Sequence, residues 1–328
     1  MNTIALRPYF FILGLFVLLI ATGCARSPKN YIETDGAVYT PQGSSRPSVQ
    51  MPLFLVKEDN RAYNRIGKPS VRQVNGAPQV YVDPGTPLIF FEEQRFATEK
   101  AKYTNLVYRV HFEQVPLSWS EINLTAGNNP GLLVIYTLDD QEQILLVTTV
   151  HTCGCFLAFL PTSNLQKQAL PPNWPDTDQW VYGYTLPAMV DLPVMPESEQ
   201  IIFTLESQTH RIAHVEVIDG SLNQLGKPFR KIEQAPMDRL YTLPYGNETV
   251  SFFEIAGERE GYVKNNRKIL EKLLVGWWAF DFKVGEDKAF SNSDNSETIF
   301  YTSLKFWDRK ASDMKDFPNF LKYWGWGL

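Results

Sequence analysis

The stretch LLVIYTL-DDQEQ-ILLVTTV, residues 132–150, decides the fold class. Two apolar runs rich in β-branched and aromatic residues, Leu132–Leu138 and Ile144–Val150, flank a polar segment that begins with Asp139-Asp140-Gln141. Two runs of this length around a short polar segment are typical of a β-hairpin. Residues 144–161 carry no formal charge, but their threonines, histidine and glycine favour a buried strand over a helix that spans a membrane.

Similar patterns recur on both sides of this hairpin. They predict further strands at residues 79–82, 88–91, 106–112, 200–205, 214–218 and 249–255. Helical spacing of apolar residues begins only at Ile269 and ends at Trp278, and Lys268, Glu271 and Lys272 are expected on the solvent side of that helix. A last short helix is predicted to begin near Ser312 or Asp316. The fold class is therefore mainly β or α+β, an antiparallel β-rich domain with one or two helices near the C-terminus.

A cluster of chemically active side chains, His151, Cys153 and Cys155, directly follows the second strand of the hairpin. If that strand continues, alternate residues point to the same face, so all three side chains would converge. An imidazole and two thiolates are a ligand set suited to zinc or copper. A fourth ligand would come from His111, His210, His214 or a carboxylate.

Other chemistry fits the same two cysteines. They could close a small disulfide ring across Gly154, remain buried thiols that pack as small apolar groups, or form a reversible bridge of the kind that catalyses redox exchange. The spacing Cys-x-x-Cys, which is common in oxidoreductases, is absent. The sequence leaves these alternatives open.

The N-terminus has the three parts of a secretory signal. Arg7 precedes an apolar core from Tyr9 to Ile20, which is shorter than the roughly 20 residues that a membrane-spanning helix needs. The core is followed by Ala21-Thr22-Gly23-Cys24, which resembles the lipobox of bacterial lipoprotein precursors. The resemblance covers residues 1–24 and implies cleavage before Cys24 and a lipid on its thiol. Ala25 after that cysteine implies transfer to the outer membrane, facing the periplasm, rather than retention in the inner membrane.

The remaining chain is assigned from its composition. Residues 24–50 are polar and rich in serine and proline, so they are expected to form a lipidated tether. Residues 51–328 are expected to form the globular β-rich domain, with room for a subdivision near residues 190–245. The chain has 31 basic and 36 acidic residues and no basic stripe, which argues against nucleic acid as a partner.

The sequence lacks the common signatures of metalloproteases, serine hydrolases, phosphate-binding loops and dinucleotide-binding folds.

Three functional hypotheses follow. The first is a lipid-anchored envelope protein, attached to the membrane at Cys24, with a non-enzymatic binding or assembly role and an envelope protein as partner. The second is a metal-binding or metal-handling protein using His151, Cys153 and Cys155. The third is an envelope thiol-disulfide oxidoreductase using the two cysteines. The first hypothesis is preferred because it requires no catalytic or metal-binding signature in the sequence.

Overall fold

The structure is a computed structural model, which describes residues 35–41, 49–117, 123–192, 199–219 and 222–328. The predicted signal peptide and the predicted lipidation site Cys24 lie outside these ranges. No helix within the described residues is both long enough and apolar enough to cross a bilayer.

The described residues are mostly strand. The strands are β1 (Gly36–Pro41), β2 (Leu53–Lys57), β3 (Lys68–Val74), β4 (Ala77–Asp83), β5 (Leu88–Ala97), β6 (Lys102–His111), β7 (Gln114–Val115), β8 (Gly127–Asn128), β9 (Gly131–Leu138), β10 (Ile144–His151), β11 (Ala158–Pro161), β12 (Asp178–Val181), β13 (Tyr184–Pro187), β14 (Gln200–Leu205), β15 (Ile212–Ile218), β16 (Phe229–Pro236), β17 (Leu243–Tyr245) and β18 (Glu248–Val250). The α-helices are α1 (Ile269–Leu274) and α2 (Phe317–Tyr323). Short 3₁₀ helices cover Ala62–Asn64, Lys167–Ala169, Leu222–Leu225, Met237–Tyr241, Gly257–Arg259 and Phe306–Asp308.

Ten strands form one sheet in the order β11-β10-β9-β6-β5-β16-β1-β2-β14-β15. The predicted hairpin is present, with β9 and β10 antiparallel across the Asp139 turn. The five strands from β11 to β5 are antiparallel neighbours. The sheet as a whole is mixed, because β16 runs parallel to both β5 and β1, and β14 runs parallel to β2. The β-rich class with helices near the C-terminus is confirmed.

Both faces of the sheet are covered at β9 and β10, where all but one of the 16 residues are buried, as expected for strands with long apolar runs. On one face, side chains such as Leu133 and Ile135 pack against aromatic residues of the C-terminal third of the chain. On the other face, Val134 and Tyr136 join a cluster that also contains Phe54 and Phe203 from the opposite half of the sheet. The sheet therefore curls around this second cluster.

The prediction of a tether over residues 24–50 is wrong for Gly36–Pro41. These residues form β1, which lies between β16 and β2 in the middle of the sheet, with Ala37, Val38 and Tyr39 buried. The strand is short and stands alone among polar residues, so its apolar run is too brief to register as a periodic signal. The stretch near residues 190–245 supplies β14, β15 and β16 to the same sheet as the rest of the domain.

The C-terminal helices differ from each other in how they pack. Helix α2 buries Phe317, Phe320 and Leu321 against the first face of the sheet. Helix α1 is inverted relative to the prediction: Lys268 at its start and Glu271 within it are buried, whereas Ile269 and Leu273 are 64% and 65% exposed. A polar site lies beneath α1, where Lys268 contacts Asp287 and Glu271 contacts Cys155.

Candidate functional site

The two cysteines lie in a tight turn rather than on a continuing strand. Strand β10 ends at His151, and the chain then reverses so that the Gly154 N–H donates to the His151 carbonyl oxygen at 2.8 Å. The His151 N–H in turn donates to the Cys155 carbonyl oxygen at 2.9 Å. Gly154 has a φ of +90°, and a Cβ there would overlap the carbonyl oxygen of Tyr301. Glycine is therefore required both by the backbone conformation and by the close approach.

This turn brings the two sulfur atoms together. Cys153 is buried, Cys155 is partly exposed, and both are free thiols. The Cys155 N–H donates to the Cys153 Sγ at 3.3 Å, and the Cys155 Sγ lies 3.7 Å from the Glu271 Oε1, to which it donates. The other carboxylate oxygen of Glu271 is buried and has no hydrogen-bond partner among the described residues. The pair therefore has one partly exposed residue, Cys155, and a carboxylate beside its sulfur.

The electrostatics of the two thiols differ. Burial raises the pKa of Cys153, but the hydrogen bond with Cys155 and the charge of Lys268 outweigh burial, so this pKa lies below its usual value. The hydrogen bond with Cys153, together with burial, raises the pKa of Cys155 well above its usual value. Burial also raises the pKa of Glu271. Cys153 is thus the sulfur that better carries a negative charge.

A fully buried ion pair lies beside the thiols. The Lys268 Nζ is 3.0 Å from the Asp287 Oδ2, and both side chains are at most 1% exposed. Asp287 also accepts from the Thr152 hydroxyl and from the Gly131 N–H, the latter at 3.2 Å. Burial opposes the charge on Asp287, but Lys268 and the hydrogen bonds outweigh it and lower the pKa of the carboxylate. Both partners therefore carry their charges, and each offsets the cost of burying the other.

Two further cations are buried near the turn. The Lys288 Nζ donates to the Cys153 carbonyl oxygen at 3.0 Å, and the Arg109 Nη2 donates to the Lys288 carbonyl oxygen at 3.1 Å. Burial lowers the pKa of Lys288 and lowers that of Arg109 to about 10. With Lys268 there are three buried cations, and the buried carboxylates of Asp287, Glu271 and Glu286 lie among them.

The predicted metal set does not converge. The His151 ring points away from the thiols, because its Nε2 donates to the His210 carbonyl oxygen at 3.2 Å and its ring contacts Phe156. The described residues contain no group of three or more His, Cys, Asp or Glu side chains that could hold a metal ion. The alternation that placed the three side chains on one face does not apply, because the strand ends at His151. No site for zinc or copper is therefore formed by His151, Cys153 and Cys155.

The other histidines that were considered as ligands are also engaged elsewhere. His111 accepts from the Arg109 Nε at 2.8 Å through its Nε2, so its Nδ1 donates to the Pro130 carbonyl oxygen. His210 donates to the Tyr63 carbonyl oxygen at 2.9 Å and stacks on Phe112. Burial lowers the pKa of His151 and of His210 to about 3. His214 is 42% exposed on β15, remote in the sheet from β10.

The outer side of α1 and the loops beside it form a second feature, the aromatic surface. It consists of nine apolar side chains, each between 54% and 76% exposed. These are Ile269, Leu273, Leu274, Trp277, Trp278, Phe280, Phe282, Phe306 and Trp307. The two chain segments meet where the rings of Phe280 and Phe306 are 5.6 Å apart. Contiguous exposed apolar side chains of this kind mark interaction sites.

The most exposed charges on the aromatic surface are lysines, of which Lys305 lies 3.9 Å from the Asp308 Oδ2. Lys272, Lys305 and Lys310 are exposed within its two segments. The acidic side chains of those segments are turned inward or paired: Glu271 is buried, Asp281 accepts from the Tyr301 hydroxyl at 2.6 Å, and Asp308 from the Tyr323 hydroxyl at 3.1 Å. The surface therefore presents apolar rings and positive charge together.

Helix α1 thus separates two features with different chemistry. Its inner side holds Glu271 against a pair of thiols, an arrangement that can exchange protons and electrons. Its outer side presents apolar and cationic groups, an arrangement that can bind an amphipathic or anionic surface. Sequence periodicity detected the apolar side of α1 but assigned it to the interior, and it missed Glu271, Lys268 and Asp287 as partners of the cysteines. Comparisons with protein-family models, curated proteins and solved structures give no match for this chain.

Proposed function

We propose that this chain is a lipid-anchored protein of the bacterial cell envelope with a non-enzymatic binding role, and that its aromatic surface rests on the bilayer. The lipobox resemblance around Cys24 supports export and acylation, and Ala25 supports the periplasmic face of the outer membrane. The observation that carries the binding role is the aromatic surface itself: nine apolar side chains, each more than half exposed, with lysine as the exposed charge among them.

A bilayer fits this surface by its chemistry. Tryptophan and phenylalanine insert at the boundary between headgroups and acyl chains, and lysines beside them attract anionic lipids. A fully buried large apolar side chain contributes about 1.5–3 kcal/mol, and a lysine near an anionic surface adds about 1 kcal/mol. A few such contacts therefore hold a domain that the lipid already keeps close.

The length of the N-terminal segment also favours the bilayer. The sheet begins at Gly36, about twelve positions after Cys24. At about 3.5 Å per extended residue, that segment reaches on the order of 40 Å. A lipid on Cys24 would therefore keep the domain within about one domain diameter of the membrane, where its aromatic surface can make contact.

Fluorescence quenching by lipids tests the proposal. The lipidated full chain is reconstituted in vesicles of phosphatidylethanolamine and phosphatidylglycerol, some of which carry brominated acyl chains. Bromine quenches only tryptophans that enter the bilayer. We expect quenching of the wild-type protein and loss of most of it in the double variant Trp277→Ala/Trp278→Ala, because these two rings are 65% and 57% exposed.

Trp180→Ala is the matched control. Trp180 is 54% exposed but lies on β12, outside the aromatic surface, so its removal should leave the quenching unchanged. Equal quenching in the double variant and the wild type would exclude bilayer contact by Trp277 and Trp278, and no quenching of the wild type would exclude contact by the aromatic surface as a whole. Loss of an envelope protein from pull-downs of the double variant, without any lipid quenching in the wild type, would instead identify a protein as the occupant.

The lipid anchor is tested separately by the mass of the mature N-terminus, which should carry acyl groups on Cys24. An unmodified Cys24 would overturn the anchor, whereas the quenching result bears on the aromatic surface.

A further inference from the structure

We propose that Cys153 and Cys155 form a reversible disulfide-forming site that exchanges electrons with thiols and disulfides that reach Cys155. This site is independent of the lipid anchor and of the aromatic surface. It rests on the geometry of the turn, on the different exposure of the two cysteine residues and on the carboxylate of Glu271.

The turn brings the two cysteines close enough to react with each other. Only Gly154 separates them, and the Cys155 N–H already contacts the Cys153 Sγ at 3.3 Å. Cys155 is the partly exposed member and Cys153 the buried one. An outside reagent therefore meets Cys155 first, and Cys153 is placed to react with whatever forms there.

Glu271 supplies a proton acceptor at the exposed sulfur. Its Oε1 lies 3.7 Å from the Cys155 Sγ, and its buried Oε2 has no hydrogen-bond partner among the described residues. Gly285 permits this position, because a Cβ at residue 285 would overlap the carboxylate. The carboxylate is therefore held beside the sulfur with capacity to take up a proton.

Oxidation then proceeds in two displacements. The Cys155 thiol gives its proton to Glu271, and the resulting thiolate attacks a disulfide RSSR, which forms a mixed disulfide and releases RS⁻. The Cys153 thiolate next attacks the Cys155 sulfur, which closes the intramolecular disulfide and releases the second RS⁻. Two electrons pass from the cysteine pair to RSSR. In the reverse direction, an outside thiolate attacks Cys155 and Cys153 leaves as a thiolate, stabilised by the Cys155 N–H and the charge of Lys268. A second outside thiolate then attacks the outer sulfur of the mixed disulfide, which releases RSSR and the Cys155 thiolate, and Glu271 returns the proton.

Glutathione redox buffers and intact-protein mass spectrometry test the proposal on the full chain. As the buffer becomes oxidising, we expect both wild-type thiols to stop reacting with an alkylating reagent at the same potential, and the mass of the protein to fall by two hydrogens. Both thiols should become reactive again on reduction. In Cys153→Ser, the mixed disulfide should accumulate on Cys155, because the second displacement is lost. In the matched variant Cys155→Ser, the buried Cys153 should remain largely unmodified.

Glu271→Gln should slow the oxidation of Cys153 and Cys155 on the order of a hundredfold, as expected for loss of a general base. Two free thiols in the wild type throughout the buffer range would overturn the proposal. Glutathione adducts that form at equal rates in the two single variants would also overturn the assigned order of attack. The wild-type titration decides the matter even if a variant fails to fold.

Discussion

At the scale of single residues, Gly154 determines the geometry of the thiol pair. Its positive φ is accessible to glycine, and the Tyr301 carbonyl oxygen occupies the space that a Cβ would need. Both requirements are invisible in the sequence, where Gly154 is one of 20 glycines. The motif His-Thr-Cys-Gly-Cys could be recognised as chemically active, but the direction of each side chain depends on where β10 ends.

Gly154→Ala is expected to destabilise the domain by more than the cost of the backbone conformation alone. A left-handed conformation costs a non-glycine residue about 1–2 kcal/mol, and the overlap with Tyr301 adds to this. Gly183→Ala is the control, because Gly183 also has a positive φ of +94° but has open space around its Cβ position. Urea unfolding of the two variants should show a larger loss for Gly154→Ala, and equal losses would contradict the role assigned to the close approach.

At the scale of elements, helix α1 shows that amphipathic spacing fixes two sides of a helix but not which of them is buried. Periodicity indicated an apolar side containing Ile269 and Leu273, and burial of that side is the usual outcome. In this fold Lys268 and Glu271 find partners beneath the helix, and the apolar side is left exposed. Those partners come from segments distant in sequence, so no local pattern could reveal them.

Lys268→Met is expected to lower the free energy of unfolding by about 3–5 kcal/mol, because it leaves Asp287 as a buried charge without its cation. Lys272→Met is the control on the exposed side of the same helix, where substitutions usually change stability by less than about 0.5 kcal/mol. Chemical denaturation of both variants checks the prediction. Similar stabilities of the two variants would contradict the burial of Lys268 on the inner side of α1.

At the scale of the whole molecule, β1 joins the two parts of the sheet. It pairs in parallel with β16 on one side and antiparallel with β2 on the other. β1 and β16 are separated by nearly 200 residues in the chain, since Val38 is opposite Phe229. A six-residue strand within a polar segment becomes essential only through such pairing.

Val38→Asp should therefore destabilise the entire domain, although Val38 lies in a segment that composition assigns to a tether. Val38 is fully buried against Leu53, Leu55 and Ile202, and a carboxylate there has no partner to offset its desolvation. We expect a loss of about 4 kcal/mol or more, measured by thermal or urea unfolding. Asp35→Asn, at an exposed position just before β1, should be nearly neutral. A mild effect of Val38→Asp would favour the tether interpretation.

The sequence by itself determined the β-rich class, the hairpin of β9 and β10, four further strands of the large sheet (β5, β6, β14 and β15) and the two late helices, because these features arise from local patterns of apolar residues. It also singled out Cys153 and Cys155 as candidates for redox or metal chemistry. Only the tertiary structure decided that β1 completes a mixed sheet, that His151 turns away from the cysteines, that Glu271 lies beside Cys155 and that α1 exposes its apolar side. Each of these depends on contacts between residues far apart in the chain, for which local spacing holds no information.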